Sequence, residues 1–215
     1  MGKLKLSKGQ LALLLVFLVL IVDQASKIWV KTHMTMHESI EITPWFFIYF
    51  TENNGMAYGI ELFSKLFLTL FRIAAVTAFS IYLYKCIRKH YSTGFILCIA
   101  LIIAGATGNI IDSVFYGQIF SNSYGQLATM FPEGGGYAPF FYGKVVDMLY
   151  FPLFQFTWPH WMPFVGGEEF LFFRPIFNIA DSAITVGVAL LFIFYRHHLG
   201  DDKKKDGADE KELHA

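Results

Sequence analysis

Charge is what this sequence has least of. Charged residues make up 16% of its 215 positions, against about 25% in an ordinary soluble domain. Lys and Arg number 17 and Asp and Glu 17, so no net field draws the chain to nucleic acid or to acidic partners. Cysteine is equally scarce. Cys86 and Cys98 are the only two, too few for a disulfide scaffold, and read as a free thiol near a helix end and a helix-face residue. No His-Glu-x-x-His supports a zinc protease. His33, His37 and His160 are present, but no Gly-x-Ser-x-Gly accompanies them, so a serine triad has no support either. Nothing in the sequence implies a metal or an organic cofactor.

What fills the space is apolar: 55% hydrophobic and 18% aromatic residues. That composition belongs to an integral membrane protein folded as one unit. The run from Leu11 to Val22 follows Lys3, Lys5 and Lys8, as in a signal peptide. No small-x-small cleavage site follows, and Asp23 to Val30 continues without a breaker, which favours a retained first span. The spans predicted are about 11–30, 64–84, 94–112 and 175–195. The last starts near Pro175, a residue suited to a first helical turn. Ile40-Glu41-Ile42-Thr43 and Phe46 to Thr51, separated by Pro44, read as strands of a small sheet within about 38–60. Asn53-Asn54-Gly55 supplies turn chemistry. Residues 113–174 form a long insertion with Gly134-Gly135-Gly136 and Gly166-Gly167 loops, and with aromatics suited to the headgroup level. Residues 201–215 are a charged, solvated tail.

Basic residues at the N-terminus, after span two and after span four put both termini in the cytoplasm. The expected fold is therefore an all-α membrane protein: four transmembrane helices, a small extracytoplasmic β-sheet and a long periplasmic insertion. Asp23, Asn53, Asp112, Asp147 and Asp181 then all fall on the outer side.

Carboxylates at the edges of apolar segments are costly, about 2.5–3.5 kcal/mol each at a helix centre. Asp23 and Lys27 are four apart and can pair on one helical face. Asn109 and Asp112 are three apart, as are Asn178 and Asp181, so each pair projects to one side. Ala104, Gly105, Ala106 and Gly108 let a neighbouring helix approach closely. Singly, each aspartate fits a cap or an anchor. Together, two carboxylates sharing a proton can run hydrolysis, one as general base and the other polarising the carbonyl under attack. A proton-coupled or ion-binding transporter uses the same groups. Four spans without an internal repeat favour the enzyme.

Five blocks carry a family resemblance: Asp23-Gln-Ala-Ser-Lys27, Asn53-Asn-Gly55-Met-Ala57-Tyr58, Gly108-Asn109-Ile-Ile-Asp112, Gly143-Lys-Val-Val146-Asp147 and Phe177-Asn178-Ile-Ala180-Asp181-Ser182. In this order, over about Leu11 to Tyr195, they resemble the signature blocks of the bacterial signal peptidase II family. That resemblance implies an inner-membrane aspartyl endopeptidase. It would cleave the signal peptide from diacylglyceryl-modified prolipoproteins just before the lipidated cysteine. The implied catalytic dyad is Asp147 and Asp181. The implied supporting and substrate-binding positions are Asp23, Lys27, Asn53, Gly55, Gly108, Asn109, Asp112, Val146, Asn178 and Ala180. The partners implied are a lipidated prolipoprotein and membrane lipid; the sheet between spans one and two would cradle the substrate. Two departures stand out. Ser113 occupies the place of an Arg usual in the family, for which Lys144 or Arg174 could substitute. About thirty residues separate Asp112 from Gly143, and the stretch from Asp147 to Phe177 is also long. Such chain could form a lid over the site, or the departures could mark an inactive binding relative.

Overall fold

The computed structural model describes residues 6–54 and 65–196. Residues 55–58 of the second block, Gly55 among them, and the tail 201–215 lie outside the described residues. The elements are α1 (Lys8–His33), β1 (Ser39–Thr43), β2 (Phe46–Asn53), α2 (Lys65–Arg88) and α3 (Thr93–Ile111). A π-helical turn (Asp112–Tyr116) and α4 (Gly117–Ile119) follow directly. Then come β3 (Val145–Tyr150), β4 (Phe154–Thr157), β5 (Glu169–Phe172), β6 (Ile176–Phe177) and α5 (Ile179–Tyr195). Among the described residues, Lys8–His33, Lys65–Arg88 and the continuous Thr93–Ile119 are long and apolar enough to cross a membrane. α5, of 17 residues, is a shorter apolar helix.

α1 starts on a capping box. Ser7 accepts from the Gln10 amide while Gln10 accepts from the Ser7 amide, satisfying two otherwise orphaned donors. α3 is the central helix, its Phe95, Ile96, Ile99, Ala100 and Ala104 fully buried. It meets α5 closely because Gly105 carries no side chain: a Cβ there would stand 2.1 Å from the Ala180 carbonyl oxygen. Gly105→Ala is expected to destabilise by about 1–3 kcal/mol through overpacking. Because the obstructing atom is backbone, α5 must shift to make room. Unfolding of the variant and the wild type in detergent checks this.

The chain is mostly helical with a small antiparallel sheet, as expected, but the sheet is larger than the two strands the sequence indicated. Four antiparallel strands run in the order β1-β2-β3-β6. Val145–Tyr150, an apolar stretch that the sequence reading left within the 113–174 insertion, is a central strand pairing β2 on one side and β6 on the other. Its first four residues are buried, and a strand covered on both faces shows a continuous apolar run instead of alternation. The helix expected from Pro175 begins four residues later. Ile176–Phe177 pairs with Leu149 and Tyr150, and Asn178 is the N-cap. The third helix runs past Ile111 through the π turn to Ile119.

Residues 113–143 are a buttress, correcting the expectation of a lid. Tyr116, Phe120 and Ala128 join Val30, Met34, Phe50, Val146 and Met148 in one buried cluster. Successive strand residues face opposite ways, so Phe50, Val146 and Met148 lie on the face away from Asp147.

Candidate active site

The site begins with a stripe on α1. Asp23, Lys27 and Lys31, spaced by four, are all fully buried, not interfacial anchors at a helix end. α1 runs on to His33, so these side chains face the protein and not the water. The Lys27 ammonium lies 2.9 Å from Asp23 Oδ2, 2.9 Å from Asp112 Oδ2 and 3.0 Å from Asn109 Oδ1. Its three donors therefore meet three acceptors. Each carboxylate also reaches a second element: Asp23 Oδ1 accepts from the Ala180 amide at 2.9 Å, in the first turn of α5. Asp112 Oδ2 accepts from the Val146 amide at 3.2 Å, in β3. Lys27 thus ties α1, α3, α5 and β3 together. Gly108 makes room: a Cβ on it would stand 2.6 Å from Asp23 Oδ2.

The two asparagines form the next layer. Asn109 Nδ2 donates to Asp181 Oδ1 at 2.7 Å. Asn178 Nδ2 donates to Asp147 Oδ1 at 2.7 Å and faces Asn109 Oδ1 at 3.2 Å. Asn178 Oδ1 accepts from the Asp181 amide at 2.8 Å, so one residue caps α5 and holds Asp147. Asp147, Asn178, Asn109 and Asp181 form a continuous chain. The Asn53 side chain also hydrogen-bonds Asp147, as the Thr51–Asp147 pairing of β2 and β3 permits.

Asp147 is 3% exposed. Burial, and next the negative charge of Asp181, push its carboxyl up to about 7; Asn53, Lys27 and Asn178 oppose the rise. A carboxyl raised this far can keep a proton at a pH where an ordinary carboxyl has lost its own.

Of the sequence-predicted residues, Asp23, Lys27, Asn53, Gly108, Asn109, Asp112, Val146, Asn178, Ala180, Asp147 and Asp181 meet in this one assembly; Gly55 lies outside the described residues. Neither proposed substitute for the missing Arg reaches Asp112. Lys144 lies 3.1 Å from Glu52, and Arg174 donates to the Glu169 carbonyl. The cation paired with Asp112 is Lys27, at 2.9 Å, and the Ser113 hydroxyl turns back to the Asn109 carbonyl at 2.9 Å.

Sequence reasoning missed three groups. Gln24 Nε2 donates to Asp112 Oδ1 at 3.0 Å, and its Oε1 accepts from the Tyr116 hydroxyl at 3.1 Å. Gln24 was visible inside the first block. Arg72 on α2 lies in electrostatic reach of Asp181, Asp147 and Asp112; an arginine within an apolar span was the available signal. Behind the sheet, Lys31 pairs with Glu52, and Ser123 Oγ donates to Glu52 at 2.8 Å. Burial alone would raise the Glu52 carboxyl; Lys31, Ser123 and Lys144 outweigh it and hold it below its ordinary value.

Apolar helices long enough to cross a bilayer, closing around an aspartate–asparagine cluster at the foot of a small sheet, define a membrane protein with carboxylates gathered inside it. The family model for signal peptidase (SPase) II matches residues 15–196. The chain belongs to the signal peptidase II family. It is 56% identical over 193 residues to the lipoprotein signal peptidase of Porphyromonas gingivalis strain W83, covering 89% of this chain and 85% of that one. It is 36% identical to the lipoprotein signal peptidase of Amoebophilus asiaticus, covering 90% and 80%. A bacterial membrane enzyme solved by the in meso method at 2.3 Å superposes with a TM-score of 0.59 at 27% identity, covering 88% and 90%. A second, at 1.9 Å, gives 0.57 at 29% identity, covering 85% and 90%.

Proposed function

We propose that this protein is an aspartic endopeptidase of the bacterial inner membrane that removes signal peptides from diacylglyceryl-modified prolipoproteins, with Asp147 and Asp181 as its catalytic pair. The carrying observation is the hydrogen-bonded chain Asp147–Asn178–Asn109–Asp181, which joins two carboxylates from separate elements in one network, close enough for the charge of Asp181 to act on Asp147. Asp147 and Asp181 are the catalytic residues; Asn178, Asn109 and Asn53 are positioning residues.

In the mechanism, Asp147 enters protonated, consistent with its raised affinity for a proton, and a water lies between the two carboxyls. Asp181 takes a proton from that water as its oxygen attacks the peptide carbonyl carbon. Asp147 gives its proton to the carbonyl oxygen, producing a neutral tetrahedral diol. Collapse breaks the C–N bond, re-forms the carbonyl and delivers the proton on Asp181 to the leaving nitrogen. A proton from the diol hydroxyl returns to Asp147. Pre-set donors on both aspartates avoid reorganisation during the step.

The membrane arrangement proposed with this reading has four spans, α5 included, both termini cytoplasmic and the dyad on the periplasmic side. Support comes from the basic residues of the sequence and from the three longer helices, each long and apolar enough to cross a membrane. The scissile bond would then meet the pair at the membrane surface while the substrate's acyl chains stay in lipid.

One assay tests the reading: purified protein in detergent is incubated with a diacylglyceryl prolipoprotein and with its unlipidated form. Signal-peptide release from the lipidated substrate is expected. Absence of release, or ion flux across reconstituted vesicles without cleavage, would defeat it.

A further inference from the structure

The second insertion contains a hairpin that the catalytic mechanism leaves unused. β4 and β5 form their own two-stranded sheet, apart from the four-stranded one. Their register places Phe154 opposite Phe172 and Phe156 opposite Phe170. Side chains alternate across a strand, so these four rings share one face; Phe154 and Phe172 stack with centroids 4.6 Å apart and planes at 4°. The other face pairs Gln155 with Leu171 and Thr157 with Glu169, where Gln155 Nε2 donates to Glu169 Oε2 at 3.2 Å. The hairpin is therefore amphipathic across its thickness.

Its aromatic face is open. Phe154 is 51% exposed, Trp161 in the connecting loop 80% and Phe164 fully so. From Trp158 to Gly167 the loop carries no Asp, Glu, Lys or Arg. An isolated two-stranded hairpin is marginal in water, and an uncovered aromatic face of this kind marks an interaction surface. Its place in the chain indicates the occupant. β5 is followed by Phe173, whose ring meets Phe177 edge-on at 5.8 Å, and Asn178 caps α5, whose outward side presents Val188, Phe192 and Ile193. Phe151 stacks on Phe177 at 5.7 Å and on Phe46 at 4.7 Å. One aromatic surface thus runs from the hairpin base to the start of an apolar helix. Aromatic rings with a polar reverse side are the chemistry favoured at the headgroup level.

We propose that the β4–β5 hairpin is an interfacial membrane anchor, its Phe154, Phe156, Phe170 and Phe172 face and its Trp161–Phe164 tip bedded at the headgroup–acyl boundary of the bilayer that α5 enters. It holds β3 and β6, and with them Asp147 and the α5 cap, at a fixed height above the lipid. This rests on the four-span reading given above.

The test places a fluorophore on the hairpin. A variant keeping Trp161 alone (Trp29→Phe, Trp45→Phe, Trp158→Phe) is reconstituted in phosphatidylcholine–phosphatidylglycerol vesicles with bromines at known acyl depths. Blue-shifted emission is expected, with most of the signal lost to shallow bromines and little to deep ones. Emission at the position of water-exposed Trp, quenched fully by aqueous iodide and untouched by bromine, would overturn the anchor. So would emission that shifts only when a diacylglyceryl prolipoprotein is added, since the face would then belong to substrate. If the triple Phe background misfolds, Phe164→Cys carrying an environment-sensitive dye gives the same readout in the otherwise unaltered chain. The measurement needs no turnover: Asp147→Asn carries the same signal, so loss of the dyad assignment and loss of the anchor are separate results.

Discussion

Asp147→Asn is expected to cut signal-peptide release by about 10²–10⁴-fold, the range for a general acid–base group, and Asp181→Asn by a similar factor. Asparagine keeps an oxygen that can accept from Asn178 Nδ2 at position 147, or from Asn109 Nδ2 at position 181. The loss should therefore appear in turnover, with the unfolding midpoint close to wild type. The pH profile adds a directional check. In the proposed mechanism Asp147 is the proton donor, and its carboxyl is pushed up to about 7, so it is competent below that value and loses its proton above it. The wild-type rate should accordingly fall as pH rises through about 7. Retained cleavage in either Asn variant, or a rate that keeps climbing well above pH 7, would remove the assignment.

Lys27→Met should be the most damaging change for stability, costing about 3–5 kcal/mol. Removing one member of a buried ion pair leaves its partners charged and uncompensated, and here Asp23 and Asp112 are both left, each fully buried. Their bonds to the Ala180 and Val146 amides mean that the loss reaches α5 and β3, and so both of the proposed catalytic aspartates. Adding Asp23→Asn and Asp112→Asn to Lys27→Met should restore a large part of the stability, because the cluster is then neutral. Denaturant unfolding in detergent decides it. A single-variant cost below about 1 kcal/mol, the level of an exposed pair, would show that Lys27 is not the hub.

Both arguments depend on contacts between segments far apart in the chain. Asp23 meets Ala180, and Asn109 meets Asp181. Their candidacy was nonetheless legible beforehand, because a carboxylate or a Lys in an apolar run has no inexpensive place except a polar assembly. Spacing placed Asn178 with Asp181 and Asp23 with Lys27 on common helical faces. Arg72 and Lys31 carried the same signal yet were passed over, one inside α2 and one near a helix end. The second layer around Glu52 was not legible. Glu52 and Ser123 are ordinary surface-type residues until the 113–143 segment folds back on the sheet.

By itself, then, the sequence determined the apolar helices, the first two strands and the identity of the polar residues that had to find one another. Composition and spacing are local properties, and burial of a charge in hydrocarbon is costly wherever it occurs. Only the tertiary structure decided that Asp147 lies on a strand. Apart from Asp147, Val145–Tyr150 is apolar on both faces, and such a run looks the same as a helix edge or as a covered strand until its hydrogen-bonding neighbours are known. The same holds for the start of α5, where Ile176–Phe177 pairs with β3 and leaves Asn178 to cap the helix. It holds as well for Lys27, whose three acceptors come from Asp23, Asp112 and Asn109. A salt bridge to the nearest residue in sequence was foreseeable; its partners across the fold were set by packing, through the close approach that Gly105 and Gly108 allow.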